Sequence, residues 1–96
     1  PTYDDYADCK INIGGYSGSG NLETGKTYTL SIVKTNGKKA NVPNGSWTAT
    51  TDSNLPGIII TGNNFTVDKK VLRETNVMIK YVVEEKDVKH RTIKVQ

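Results

Sequence analysis

The chain has 96 residues, a formal net charge of +3 and a hydrophobic fraction of 34%. This length fits one domain with one hydrophobic core, and the small net charge argues against nucleic acid as a partner. Because no apolar run approaches the length of a membrane span, we expect no insertion into a membrane. The single cysteine, Cys9, excludes a disulfide within the domain, so packing alone must stabilise the core.

The N-terminal residues predict a linker followed by a strand. The chain starts with Pro1 instead of Met, and we therefore expect residues 1–7 to be a linker from a preceding domain and residues 8–96 to form the domain itself. Over residues 8–13, polar and apolar side chains alternate, which predicts a first strand with Cys9 on its buried face.

A glycine-rich stretch, residues 14–20, leads into a segment that matches the phosphate-binding P-loop pattern, residues 20–27. A P-loop has to open a helix, because the amides at the N-terminus of that helix hold the phosphates. Residues 26–34 instead alternate with period two and are rich in β-branched side chains, which predicts a strand. We therefore interpret residues 20–27 as a turn into this second strand and expect no nucleotide binding.

Five further segments carry the same alternation and are separated by turn signals such as Gly62-Asn63. They predict strands at residues 46–51, 58–60, 65–67, 75–84 and 89–96, with a charged hairpin at 84–87. The apolar residues with inward parity on the second and later strands form the predicted core: Tyr28, Leu30, Ile32, Trp47, Ile60, Phe65, Val77, Ile79, Tyr81, Ile93 and Val95.

Two charged residues of the last strand, Lys89 and Arg91, share the inward parity of Ile93. Either they project past the end of the core, or a β-bulge resets the register near the hairpin. Charge that leans inward near a sheet edge also discourages pairing with the edge of another sheet.

Seven short strands with turn signals about every 8–12 residues predict an all-β chain, folded as an immunoglobulin-like antiparallel β-sandwich of about seven strands. In such a sandwich, one aromatic residue on a central strand fills the space between the two sheets. We assign this position to Trp47, the only tryptophan of the chain.

The residue types used in catalysis and metal binding do not form a recognisable constellation. His90 is the only histidine and has outward parity, which excludes a triad or a multi-histidine metal site. Residues 52–54 offer alternating oxygen ligands but lack the glycine and distal glutamate of a calcium loop, so turn chemistry is the better interpretation. The adjacent carboxylates Glu84 and Glu85 diverge on a hairpin, whereas glycoside hydrolysis needs two that face each other. We expect no enzyme activity, no cofactor and no metal.

Two groups of surface residues are candidates for contact with a partner. Four basic residues are candidates for contact with anionic polymers: Lys80 and Lys94, which have outward parity, with Lys69 and Lys70 nearby. An ordinary solvated face is the alternative. Three tyrosines near the glycine-rich stretch are candidate platforms for stacking against sugars: Tyr3, Tyr6 and Tyr16.

The chain resembles a bacterial immunoglobulin-like domain of group 2, the type found in intimin- and invasin-like surface proteins and on phage virions. The resemblance covers roughly residues 9–95. It rests on the pattern Leu22-x-x-Gly25-x-Thr27-x-x-Leu30, on Trp47 with a Thr/Ser-rich stretch, on the turn and strand at 62–67, and on closing strands at 75–81 and 92–95. The chain departs from the family at 71–74, where glycine and small residues are usual, and in the looser stretch at 14–20.

This resemblance implies a non-catalytic, extracellular module of a phage virion or bacterial surface protein. Such a module acts as a spacer or decoration and adheres weakly and multivalently to cell-surface carbohydrate, and neighbouring domains of a longer chain are its other partners. The alternative is an accessory carbohydrate-binding or spacer domain of a secreted enzyme.

Overall fold

The computed structural model describes residues 2–52 and 56–96. In this part of the chain, seven strands follow a short 3₁₀ helix at Tyr6–Asp8 and form two antiparallel sheets, in the orders β1-β2-β5-β4 and β3-β6-β7. This is the strand order of a constant-type immunoglobulin domain, and the predicted fold class is confirmed. The strands are β1 (Cys9–Gly14), β2 (Thr27–Lys34), β3 (Ser46–Thr51), β4 (Ile58–Thr61), β5 (Asn64–Val67), β6 (Asn76–Val83) and β7 (Lys86–Lys94).

An aromatic pair occupies the middle of the sandwich. Tyr28 of β2 pairs with Phe65 of β5, and their rings stack with centroids 5.2 Å apart. Both side chains are at most 1% exposed, and the Tyr28 hydroxyl accepts a hydrogen bond from the amide of Glu23 at 2.9 Å. The buried tyrosine therefore keeps its polar end satisfied while its ring packs in the core.

Trp47 does not fill the centre, and the prediction that it does is wrong. β3 lies at the edge of its sheet, so Trp47 is half-buried and packs against Tyr81 with ring centroids 4.8 Å apart. Alternation predicts which face a side chain takes, but not whether its strand is central or at an edge. Ile32 and Ile60 are also half-buried against the core, whereas the other predicted core residues are buried: Tyr28, Leu30, Phe65, Val77, Ile79, Tyr81, Ile93 and Val95.

The segment with the P-loop pattern enters a strand. Gly25 has a φ of +79°, and its amide donates to the carbonyl of Val67 at 2.7 Å, immediately before β2 begins at Thr27. The anion-binding helix N-terminus that the pattern needs is therefore replaced by extended backbone.

The turn between β6 and β7 is tighter than the predicted hairpin at 84–87. Only Glu84 and Glu85 form it, both with positive φ, and β7 begins at Lys86. A bulge shifts the register between Tyr81 and Val82. The bulge lies on the hairpin side of residue 89, so both charged residues keep their inward parity. Lys89 lies opposite Tyr81, and Arg91 lies opposite Ile79.

The N-terminal residues and Gln96 are bonded at opposite ends of the β6–β7 pair, in a body measuring 43 × 27 × 19 Å. Residues 2–7, which the sequence predicts to be a linker, contact the domain at the hairpin end, where Lys89 donates to the carbonyl of Tyr6 at 3.0 Å. The amide of Asn41 donates to the carboxylate of Asp4 at 2.7 Å. At the other end, the amide of Gln96 donates to the carbonyl of Leu22 at 2.8 Å.

Candidate functional site

The four candidate lysines do not form one patch. Lys80 lies on the outer face of β6 and pairs with Asp87, with 3.3 Å between nitrogen and oxygen. Lys94 pairs with Glu74 at 3.7 Å between nitrogen and oxygen. The β6 residue opposite Lys94 lies four residues from Lys80, a separation of about 13 Å at the usual strand rise. Such exposed pairs contribute little stability, and each leaves its lysine partly neutralised. The two remaining lysines lie in the turn after β5: Lys69 and Lys70.

The three candidate tyrosines do not form a shared platform either. Tyr3 is 52% exposed near the start of the chain, and Tyr6 is half-buried in the 3₁₀ helix. The hydroxyl of Tyr16 donates to the carbonyl of Gly20 at 2.6 Å, and the guanidinium of Arg91 lies 5.2 Å from its ring centroid. The Tyr16 ring is therefore already engaged by a cation of its own chain.

One open side of the sandwich, between β1 and β7, is a basic cleft of about 330 Å³. Arg91 donates from Nη1 to the carbonyl of Ile11 at 3.3 Å, and Lys89 donates to the backbone of the 3₁₀ helix. Arg91 therefore satisfies a carbonyl group on the exposed edge of β1, and Lys89 satisfies one in the 3₁₀ helix that precedes β1. We interpret them as ties that close this side and keep another strand from adding to it.

Cys9 lies beneath this cleft and is 1% exposed. Burial is the main cause that raises the pKa of its thiol, followed by the nearby Asp4 carboxylate, which outweighs the opposing effect of Lys89. The thiol is therefore a poor nucleophile. Among residues 2–52 and 56–96, no group of three His, Cys, Asp or Glu side chains is placed to hold a metal ion. The candidate calcium loop at 52–54 lies mostly outside the described residues.

The opposite open side, between β3 and β4, holds a groove that we call the Trp47 groove. Its volume is about 480 Å³, within the range of roughly 300–1,000 Å³ usual for ligand sites. Gly45 and the first residues of β3 form one wall, and Ile60 of β4 with the turn between β4 and β5 forms the other. The lining residues are Gly45, Ser46, Trp47, Ile60, Gly62 and Asn63.

The β3 wall of the Trp47 groove is fixed by close packing on β6. A Cβ on Gly45 would collide with the carbonyl oxygen of Val82 and lie 2.9 Å from the Tyr81 ring, so only glycine fits there. The Tyr81 hydroxyl donates to the carbonyl of Pro43 at 2.7 Å, which holds the ring in place beside the indole of Trp47. The indole therefore lies on a rigid aromatic support.

The opposite wall is held by the backbone of β2. The backbone carbonyl of Asn63 accepts from the amide of Leu30 at 2.7 Å, and the side-chain nitrogen of Asn63 donates to the Leu30 carbonyl at 3.2 Å. Gly62 has a φ of +61°, and a Cβ built on it meets no atom within 4 Å, so the rim is open there. One hydrogen of the Asn63 side-chain amide is used in these bonds. Within the described part of the chain, its side-chain oxygen and second hydrogen are left to bond a ligand.

No helix in the described part of the chain is long and apolar enough to cross a membrane. No protein-family model matches the chain, and no curated protein and no solved structure matches it. The assignment to the immunoglobulin-like class therefore depends on the strand order of the two sheets.

Proposed function

We propose that this chain is a non-catalytic immunoglobulin-like module, of the bacterial group 2 type, within a longer extracellular protein of a phage virion or bacterial surface. It spaces or decorates that protein, and it makes weak, multivalent contacts with cell-surface carbohydrate. Neighbouring domains of the same polypeptide are its permanent partners.

The observation that carries this proposal is the separation of the two chain ends. The N-terminal residues are bonded at the hairpin end of the β6–β7 pair and Gln96 beyond its other end, in a body whose longest dimension is 43 Å. Domain termini are often close together, which suits insertion into a loop of another domain. Separated termini instead suit a linear array, because each added module extends the array along its long axis.

Weak contacts suffice for adhesion when modules are displayed in many copies. Linking binding modules raises avidity by about 10²–10⁴ over a single site without any new contact, provided that all copies can reach the target. A linear array displays many copies of the module along one polypeptide, which is the arrangement that such avidity needs.

The half-exposed Trp47 also supports a second candidate function, an accessory carbohydrate-binding or spacer domain of a secreted enzyme. The two candidates share the same surface chemistry and differ in the neighbouring domain. A hydrolase domain in the same polypeptide supports the second candidate, and coat, tail or anchor segments support the first.

Two measurements test the proposal. Small-angle X-ray scattering of two copies joined end to end should give a maximum dimension of about twice the 43 Å length, near 85 Å. A value close to that of one copy contradicts a spacer. Separately, a biotinylated domain held as a streptavidin tetramer should bind to a glycan array or to isolated cell walls, and its failure to bind to either contradicts the adhesive part.

A further inference from the structure

We infer that the Trp47 groove binds one neutral pyranose unit within a polysaccharide chain. This inference rests on the proposed adhesive function and assigns to it a site and a class of ligand. It replaces the lysines and tyrosines expected from the sequence with residues that converge in the folded chain.

The aromatic side chain on the β3 wall supplies the first part of the recognition. One face of a pyranose ring carries C–H groups, which are attracted to the electron-rich face of an indole. Trp47 is half-buried and supported by the Tyr81 ring at 4.8 Å, so its side chain is ordered before a ligand arrives. Less side-chain entropy is therefore lost on binding than at a fully exposed tryptophan.

The polar rim supplies the second part. The side-chain amide of Asn63 lies on the wall opposite Trp47 and can both donate and accept hydrogen bonds. Sugar hydroxyls have the same double capacity. Few polar groups around an apolar floor are the usual composition of a small-ligand site.

The charge of the groove selects the class of sugar. Its six lining residues carry no charge, so an anionic sugar entering the groove would lose hydration without gaining an ion pair. The basic side chains of the opposite cleft, such as Arg91, are engaged with backbone carbonyls of their own chain. A neutral sugar is therefore the fitting ligand.

The open walls indicate a unit inside a polymer instead of a free monosaccharide. Gly62 leaves the rim without a side chain, so the chain of a polysaccharide can continue past the groove. A single stacked ring with a few hydrogen bonds corresponds to a dissociation constant on the order of 1 mM. Affinity of that order is useful only in a multivalent display.

The chain contains its own probe, because Trp47 is its only tryptophan. Tryptophan fluorescence of the monomer should be titrated with four neutral tetrasaccharides, built of glucose, N-acetylglucosamine, mannose or galactose, and with tetragalacturonate as the anionic comparison. We expect a saturable change in emission, at millimolar concentration, with at least one neutral tetrasaccharide and none with tetragalacturonate. No saturable change with any neutral sugar overturns the inference, as does equal binding of tetragalacturonate.

Three variants assign the binding to the groove. Asn63→Ala should weaken binding about three- to tenfold, the usual effect of losing a hydrogen bond. Thr48→Ala, on β3 with the opposite parity to Trp47, should bind like the wild type and is the matched control. Trp47→Phe keeps an aromatic ring but shrinks its face, and NMR titration should show weaker binding than in Thr48→Ala. Thermal melting verifies that each variant is folded.

The inference and the proposed function fail in different ways. If the tetramer binds to glycans while Asn63→Ala and Trp47→Phe bind as well as Thr48→Ala, the groove is the wrong site and the adhesive proposal stands. If the tetramer does not bind to any glycan or cell wall, the inference fails together with adhesion. The scattering result on the joined copies then still decides the spacer function on its own.

Discussion

Truncation to alanine should have a larger effect on stability in the central aromatic pair than at the edge tryptophan. Phe65 is 0% exposed and stacks on Tyr28, whereas Trp47 is half-buried at an edge strand. Truncation to alanine should therefore cost more at Phe65, although tryptophan is the larger side chain.

The magnitudes follow from burial. Replacing a fully buried Phe by Ala costs about 3–5 kcal/mol of unfolding free energy. A half-buried Trp47 should cost roughly half of that, about 1.5–2.5 kcal/mol, because part of its surface already contacts water. A chain of this length has a total stability of about 5–14 kcal/mol, so Phe65→Ala removes a large fraction of it.

Thermal melting by circular dichroism, with urea unfolding as a second measure, tests this order. At about 4–8 °C per kcal/mol, Phe65→Ala should lower Tm by at least about 12 °C and Trp47→Ala by about half as much. His90 is exposed on the outer face, so His90→Ala should change stability by no more than about 0.5 kcal/mol. An equal or larger loss for Trp47→Ala than for Phe65→Ala would refute the described arrangement of the interior.

Three other predictions concern the periphery of the fold. Gly45→Ala should destabilise the domain by about 1–3 kcal/mol, because the new Cβ collides with β6. In the control variant Gly14→Ala, the new Cβ meets its neighbours at 3.4 Å or more, so this variant should melt near the wild type. Equal melting temperatures for the two variants contradict the described packing. Arg91→Ala removes a tie to β1 and should cause concentration-dependent association, measured by sedimentation velocity, and a variant that stays monomeric shows that the edge needs no protection. Burial raises the pKa of Cys9 and of Tyr81, so at high pH the folded protein holds protons that the unfolded chain releases. The unfolding free energy should therefore decrease as the pH rises above about 9 and be insensitive to these groups below it. Urea titrations at pH 7 to 10.5 that show constant stability contradict this.

The strands were predictable because alternation is a local property. β3 begins and ends at the predicted residues, and β2 differs from its prediction by one residue, since it begins at Thr27. Each of these segments reports its buried face through the side chains that it contains. The layered all-β fold follows from the number and spacing of such segments.

The Trp47 groove was not predictable in the same way. Its two walls come from residues 45–47 and from residues 60–63, which meet only because the edge strands β3 and β4 face each other across the open side. The sequence marks Gly62 as a turn residue, but turn chemistry does not report which other segment becomes the neighbour of a turn. The inward charge at Arg91 was recognised from parity, and its carbonyl partner on β1 required the folded structure.

The separated ends also determine how the domain responds to tension. Leu22 lies in parallel pairing with Val95, through two hydrogen bonds of 2.8 Å. A force that pulls the two termini apart slides these strands past each other, so the bonds are strained together instead of opening one after another. β1, which pairs with β2 over six positions, resists in the same direction. The module should therefore yield abruptly, at a threshold force, and not by gradual lengthening.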